Sequence, residues 1–261
     1  MNATSSLLRA QFEQDGFTVT DAPRIPAELL ARAIERMNAL AGGIHDREGT
    51  PYRRWNVGHP TRIQKIDNAH LADQTIFELI SHPAIGQLAA EISGARMVQV
   101  WSTQLLYKPG RSGQDGCVGW HRDMQYWRCW RGTLFTITVA LTAQSAGNGA
   151  MSFIKGSHRW ARPDRQGDAY RQDLARHQAD MADQFEEPWD EQALAAPAGA
   201  LCIHHGLTVH GSRPNTEAVP RRSLAINLRT EDSWPVIGAT DFGMWDCLSR
   251  AADFPVIHRD E

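Results

Sequence analysis

Within Gly119–Trp127, GWHRDMQYW, His121 and Asp123 stand two residues apart. In an extended segment, alternate residues project to one face, so both side chains can reach the same metal ion. The pair alone is weak evidence, because His258 and Asp260 repeat the spacing in what reads as a surface tail. A third ligand is available in GALCIHHGLTVHGSRPNTEAVPRRSLAINL, which reads as a strand, a turn containing His210, a polar loop and a second strand opening at Arg221. Two histidines and one carboxylate on one side of a metal form the facial triad associated with non-haem Fe(II) oxygenases. Its open positions suit a 2-oxo acid held through two oxygens, with dioxygen in the third.

A 2-oxoglutarate held this way leaves its distal carboxylate deep inside a barrel, where an unpaired anion is very costly. Arginine suits that place because its planar guanidinium binds a carboxylate through two charge-assisted bonds and stays protonated. Arg221 is the candidate and Arg222 its rival. Successive strand residues face opposite sides, so only one of them can enter the barrel. Two other readings of the same residues stay open. His, His and Asp can also hold Zn²⁺ in a hydrolase, although a hydrolase has no need of Arg221, and a non-enzymatic barrel could bind a small acid.

The elements that must position these groups change character along the chain. PAELLARAIERMNALA, Pro26–Ala41, places Leu30, Ile34, Met37 and Ala41 at helical spacing and stops at Gly42-Gly43. Helical patterns recur at Thr75–Ile80 and after Pro83, through Ile85, Leu88, Ala89 and Ile92. Residues 1–95 are therefore expected to be mainly helical. Short alternating segments follow at Met97–Tyr107, Leu134–Leu141, Ala150–Ile154, Ala200–His205 and Ser223–Arg229. In FTITVAL, Phe135, Ile137, Val139 and Leu141 face one way and Thr136, Thr138 and Ala140 the other, as a half-buried strand requires. Strands without intervening helices predict a barrel or sandwich over 96–230, with 231–261 as a C-terminal extension of one domain. Between His158 and Pro197 neither period is sustained, and 159–189 reads as a solvated loop or a lid.

The 27 Lys+Arg and 30 Asp+Glu give a net charge of −3. That near balance argues against nucleic acid as a partner. The four cysteines form no C-x-x-C pair, so reduced thiols are expected and zinc fingers and disulfide frameworks lack support. No apolar run approaches the length of a membrane span, so the expectation is a cytoplasmic protein acting on a small molecule, with no membrane partner.

With these residues in place, the chain resembles the phytanoyl-CoA dioxygenase family of Fe(II)- and 2-oxoglutarate-dependent oxygenases, which includes ectoine hydroxylase. The resemblance spans nearly the whole sequence. It is carried by QDGFTV at Gln14–Val19, KPG at Lys108–Gly110, the WHRD block, NGAMSFIKGSH at Asn148–His158, and HGSRPN with its following PRRS. It implies a double-stranded β-helix, a jelly-roll barrel with an N-terminal helical layer. It also implies Fe(II), 2-oxoglutarate and O2 as cofactor and co-substrates, with hydroxylation of an aliphatic C–H of a small polar metabolite and release of succinate and CO2. By motif match, His121, Asp123 and His210 are the metal ligands and Arg221 binds the distal carboxylate. Ser212 matches a position that hydrogen-bonds the co-substrate, and Trp127 an aromatic position lining the site. Related halogenases lack the carboxylate and hold chloride in its place.

Thr136 and Thr138 could face the co-substrate. Gln104, Gln125 and Trp130 are candidates to line the substrate pocket, and Arg159 and Arg162, at the start of the possible lid, to meet an anionic group. Lys108 reads as a surface residue anchored by its Pro-Gly turn, and His204 and His205 as core histidines without a catalytic role.

Overall fold

The computed structural model describes residues 3–161 and 167–260. Arg162 lies outside the described residues. Helix α1 (Ala3–Asp15) stops at Gly16, whose φ of +84° and closeness to the His158 ring admit no side chain. Strand β1 (Phe17–Val19) leads to helix α2 (Ala27–Ala41), which starts after Pro26 and buries Leu29, Leu30, Ala33, Met37 and Leu40. After strands β2 (Arg53–Trp55) and β3 (Gln64–Asp67) come helices α3 (Gln74–Ile80) and α4 (Pro83–Ser93). The Asp73 carboxylate caps α3 by accepting from the Ile76 N–H at 3.0 Å and pairs with Arg36 Nε at 2.6 Å. The first 95 residues thus contain three strands that the helical expectation omits. Strands of three or four residues are too short to show alternation.

The remaining strands are β4 (Met97–Lys108), β5 (Val118–His121), β6 (Trp130–Ala140), β7 (Met151–Ile154), β8 (Glu191–Ala193), β9 (Leu201–His205), β10 (His210–Ser212), β11 (Arg221–Pro235) and β12 (Val256–Arg259). The major sheet runs β1-β9-β6-β11-β4-β3-β2, with β12 also on β4, and the minor sheet runs β5-β10-β7-β8. Every pairing between these strands is antiparallel. The architecture is a double-stranded β-helix. Residues 231–261, expected to be an extension, finish β11 and supply β12 to the major sheet.

The two faces of the major sheet follow from alternation. Phe135, Ile137, Val139, Ile203, Leu224, Ile226 and Leu228 pack outward against residues of α2, α3 and α4 in the main core. The opposite, inward face carries polar side chains in register. His204, Thr136, Asn227 and Ser102 form one row, and Cys202, Thr138, Ala225, Gln104 and Asp67 the next.

The 159–189 segment contains a helix that the sequence reading lacks, α5 (Leu174–Phe185), with Leu174, His177, Met181 and Phe185 buried. Leu174, Met181 and Phe185 do stand at helical spacing, but the segment is polar on average and lies in a charged run, which makes it read as a loop. Before it, residues 167–169 lie against β5. Gly119 N–H donates to Ala169 O and Asp168 N–H to Trp120 O, both at 2.9 Å. The approach requires glycine on both sides: a Cβ on Gly119 would stand 1.9 Å from Asp168 O, and one on Gly167 1.8 Å from Trp120 O.

Replacing Asp73 by alanine removes the α3 cap and leaves Arg36 with only its exposed partner Asp46. We expect a loss of about 2–3 kcal/mol in urea unfolding, whereas Asp73→Asn, which retains a capping oxygen, should lose less.

Candidate active site

Strand β5 ends at His121, and Arg122 keeps an extended backbone, so Asp123 returns to the same side as it opens a 3-10 turn. His210, expected in a turn, is instead the first residue of β10, directly opposite His121 in the minor sheet. The two imidazole centroids stand 4.2 Å apart. Asp123 Oδ1 lies 3.8 Å from His121 Nε2 and 3.7 Å from His210 Nε2. All three ligand atoms fall within 4.8 Å of one another.

Both histidines are also held in the tautomer a metal needs. His121 Nδ1 meets Gly119 O at 2.8 Å and His210 Nδ1 meets Thr208 O at 3.0 Å. A carbonyl only accepts, so each Nδ1 carries the hydrogen and each Nε2 presents a lone pair to the shared point. Burial lowers the His121 pKa and, together with the neighbouring His121, pushes His210 down to about 3, so both are neutral at pH 7. Burial works against the Asp123 anion. The His210 ring, the hydrogen bond from His204 and the polar rings of His204 and His121 outweigh it and hold the carboxyl well below the usual range. This donor set fits a divalent transition metal with several positions left open. His258 and Asp260 pair with each other at 3.0 Å near the surface on β12 and take no part.

Arg221 and Lys108 face each other across β11 and β4, exposed by only 3% and 0%. The phase therefore selects Arg221 for the interior, while Arg222 lays its guanidinium over the Tyr107 ring at 4.9 Å. Arg221 Nη1 donates to Gln144 Oε1 at 3.1 Å and to Ser223 Oγ at 3.3 Å, and among the described residues its buried Nε has no partner. Lys108 donates to Ser212 Oγ and to Arg213 O, and Ser212 donates onward to Gly149 O at 2.9 Å. Burial and the charge of Arg221 press the Lys108 pKa well below its ordinary value, and burial lowers Arg221 to about 10. Among the described residues, neither cation forms an ion pair with a carboxylate. The Thr138 hydroxyl, on the same inward face, is likewise buried without a partner.

Lys108 is thus not the surface residue the sequence suggested. Its position at the last step of a long alternating strand, facing inward opposite Arg221, was the available signal. His204, read as a core histidine, does hydrogen-bond in the interior, but its partner is Asp123 Oδ2 at 3.0 Å. Thr136 Oγ1 meets the same oxygen at 3.1 Å.

The candidate pocket residues divide. Gln104 is half-buried on the inward face, in register with Ala225 and Thr138. Gln125 binds Gly167 through both ends of its amide, Nε2 to O at 3.0 Å and Oε1 from N–H at 3.2 Å, and so ties down residues 167–169. Trp130 is fully buried in an apolar cluster with Trp101, Trp127 and Leu134, a packing role in place of the pocket-lining one expected. Trp127 stands edge-on to Trp101 at 5.0 Å in that cluster. Arg159 is exposed and donates to the Glu13 and Gln14 carbonyls at the end of α1, so its guanidinium is not free for an anionic substrate.

Fold and donor set together define a double-stranded β-helix with a His/Asp/His metal centre and a buried cationic cradle. The chain belongs to the phytanoyl-CoA dioxygenase (PhyH) family, whose model matches residues 12–223. It is 26% identical over 236 residues to a probable alpha-ketoglutarate-dependent hypophosphite dioxygenase of Stutzerimonas stutzeri, covering 88% of this chain and 81% of the relative. It is 25% identical over 228 residues to an ectoine dioxygenase of Bordetella parapertussis, covering 82% and 71%. In fold it is similar to the non-heme alpha ketoglutarate dependent epimerase SnoN from nogalamycin biosynthesis, with TM-score 0.70, 23% identity and coverage of 92% and 89%. EctD from S. alaskensis, solved with 2-oxoglutarate and 5-hydroxyectoine, gives TM-score 0.64, 20% identity and coverage of 88% and 76%.

Burial of neutral His210 links stability to pH. Its folded pKa of about 3 lies below the ordinary 6.5, so between these values the unfolded chain binds a proton that the folded chain refuses. That contribution is fully present above pH 6.5 and is lost as pH falls toward 3. Urea midpoints of metal-free protein should fall across pH 6.5 to 4.5, and fall less steeply in His210→Gln.

Proposed function

We propose that this protein is an Fe(II)- and 2-oxoglutarate-dependent dioxygenase that hydroxylates an aliphatic C–H of a small polar molecule, with release of succinate and CO2. The observation that carries the reading is the pair of buried basic side chains, Arg221 and Lys108, with no carboxylate paired to either among the described residues. A fold tolerates such a pair when a ligand supplies the missing anion, and 2-oxoglutarate offers a carboxylate far enough from its chelating end to fill that cradle. A zinc hydrolase would leave these charges without purpose.

In this reading His121, Asp123 and His210 hold Fe(II), which when bound supplies the activation of dioxygen coupled to oxidative decarboxylation of the co-substrate. Arg221 binds the distal carboxylate through the side of its guanidinium carrying the unpartnered Nε. Lys108 adds a second charge, held in place by Ser212 and Arg213 O. Thr138 has a hydroxyl to offer the same ligand, while Trp127 backs the site through packing. Gln104 is the retained candidate for substrate contact. The metal ligands are at most modestly exposed, His121 by 8% and His210 by 6%, which favours a compact substrate. Hypophosphite and ectoine, named for the relatives, are both small polar molecules. Among the described residues no helix is long and apolar enough to cross a membrane. The four buried, unpaired cysteines support the cytoplasmic reading.

The test is anaerobic titration of the apoprotein with Fe(II) and 2-oxoglutarate, followed by O2 and a metabolite panel that includes hypophosphite and ectoine. Substrate-stimulated succinate release is expected, and absence of 2-oxoglutarate binding would refute the reading. Arg221→Ala should weaken 2-oxoglutarate binding by about 3–5 kcal/mol, the cost of a broken buried pair, and Arg222→Ala should leave it nearly unchanged. In chloride buffer the substrate should yield no chlorinated product by mass spectrometry, because Asp123 stands where a halide would bind.

A further inference from the structure

Asp123 is a carboxylate with its two oxygens assigned to different partners. Oδ1 faces the Nε2 atoms of His121 and His210 at 3.8 and 3.7 Å. Oδ2 points to the major sheet, where His204 Nε2 lies at 3.0 Å and Thr136 Oγ1 at 3.1 Å. These two donors are neighbours in the inward row of the sheet, paired across β9 and β6. Thr136 Oγ1 also lies 3.1 Å from the Asn227 side-chain amide, next in the row. A hydroxyl has one hydrogen, so if Thr136 donates to the carboxylate, the Asn227 amide must turn its NH2 toward Thr136.

We infer that His204 is a positioning residue that locks Asp123 into one-oxygen ligation and so keeps the third open position of the metal free for dioxygen. The inference rests on the metal reading proposed above. A carboxylate has two equivalent oxygens and can chelate through both, and a facial triad whose aspartate did so would lose a position that the co-substrate and dioxygen require. Here, swinging Oδ2 toward the metal breaks two hydrogen bonds at once; Thr136 can turn its hydroxyl to Asn227 Oδ1, but the His204 N–H is left buried without its acceptor, at substantial cost. His204 is 2% exposed, with its ring 5.3 Å from Phe153 and 4.7 Å from His210, and among the described residues its Nδ1 has no hydrogen-bond partner. An acceptor carboxylate at Nε2 and an apolar wall around the ring fix the Nε2–H tautomer.

The experiment uses Co(II) as a spectroscopic substitute and compares wild type with His204→Phe, His204→Gln and Thr136→Val. Glutamine places an amide N–H near where Nε2 stands, so it can restore the donor. Thr136→Val removes the other donor without touching β9. We expect His204→Phe to change the Co(II) visible absorption, which reports coordination number, and to weaken 2-oxoglutarate binding about 10–100-fold, the size of the loss in metal affinity or activity that follows removal of such an outer-shell partner. His204→Gln should recover most of both, and Thr136→Val should move both in the same direction as His204→Phe but less. A His204→Phe variant that binds Co(II) and 2-oxoglutarate like wild type with an unchanged spectrum would overturn the assignment while leaving the proposed function standing. If His204→Phe does not fold, Thr136→Val and His204→Gln decide: a wild-type spectrum in the first, or loss of 2-oxoglutarate binding in the second, would equally overturn it. Failure of wild type to bind Co(II) would overturn both readings.

Discussion

Two basic side chains buried on the inward face, without a carboxylate partner among the described residues, are the constraint on which the rest depends. Removing a guanidinium and an ammonium from water costs several kcal/mol each, and in this protein the only relief among described residues is a few neutral oxygens from Gln144, Ser223, Ser212 and the Arg213 carbonyl. The fold bears that cost because β11 and β4 form a long pair, interrupted only by a register shift at Asn227/Leu228, with a full hydrophobic layer behind them. Stability comes from the outward face, and the inward face is left to chemistry.

The minor sheet supplies the complementary half. Cross-strand register alone brings His210 to His121, although the two are far apart in sequence. Two backbone carbonyls then fix both rings so that their lone pairs converge. Asp123 completes the set by being tied across to the opposite sheet. The metal centre is therefore a joint between the two sheets, and its geometry depends on their separation as much as on the ligands.

Much of this was legible beforehand. Alternation in FTITVAL gave the correct inward and outward faces, H-x-D and the distal His210 picked out three side chains that the structure brings together, and alternation allowed only one of Arg221 and Arg222 to face inward, the motif match favouring Arg221. What stayed hidden shares one cause. The roles of Lys108 and His204 depend on which residues lie across a sheet, information carried by pairing register and absent from local pattern. Lysine before Pro-Gly is ordinary surface chemistry until β11 lies beside it. Helix α5 was missed although Leu174, Met181 and Phe185 stand at helical spacing, because it is polar on average and sits in a run of arginines and acids that reads as a loop. Trp130 and Arg159 were placed near the site by proximity in sequence, and packing sent the first into an apolar cluster and the second to the end of α1.

The close passage of residues 167–169 along β5 has a consequence for how the chain behaves among its own copies. Strand β5 ends the minor sheet and carries His121, and it lacks the charges or proline that commonly blunt edge strands before that residue. Its unpaired N–H and C=O groups would offer a template to any extended segment in the cell. Backbone from the chain's own connection to α5 occupies that template instead, through the Ala169 and Asp168 contacts that Gly119 and Gly167 make room for. The two glycines thus serve solubility as well as shape: a side chain at either would unzip an intramolecular seal and turn the strand that bears His121 into an adhesive edge.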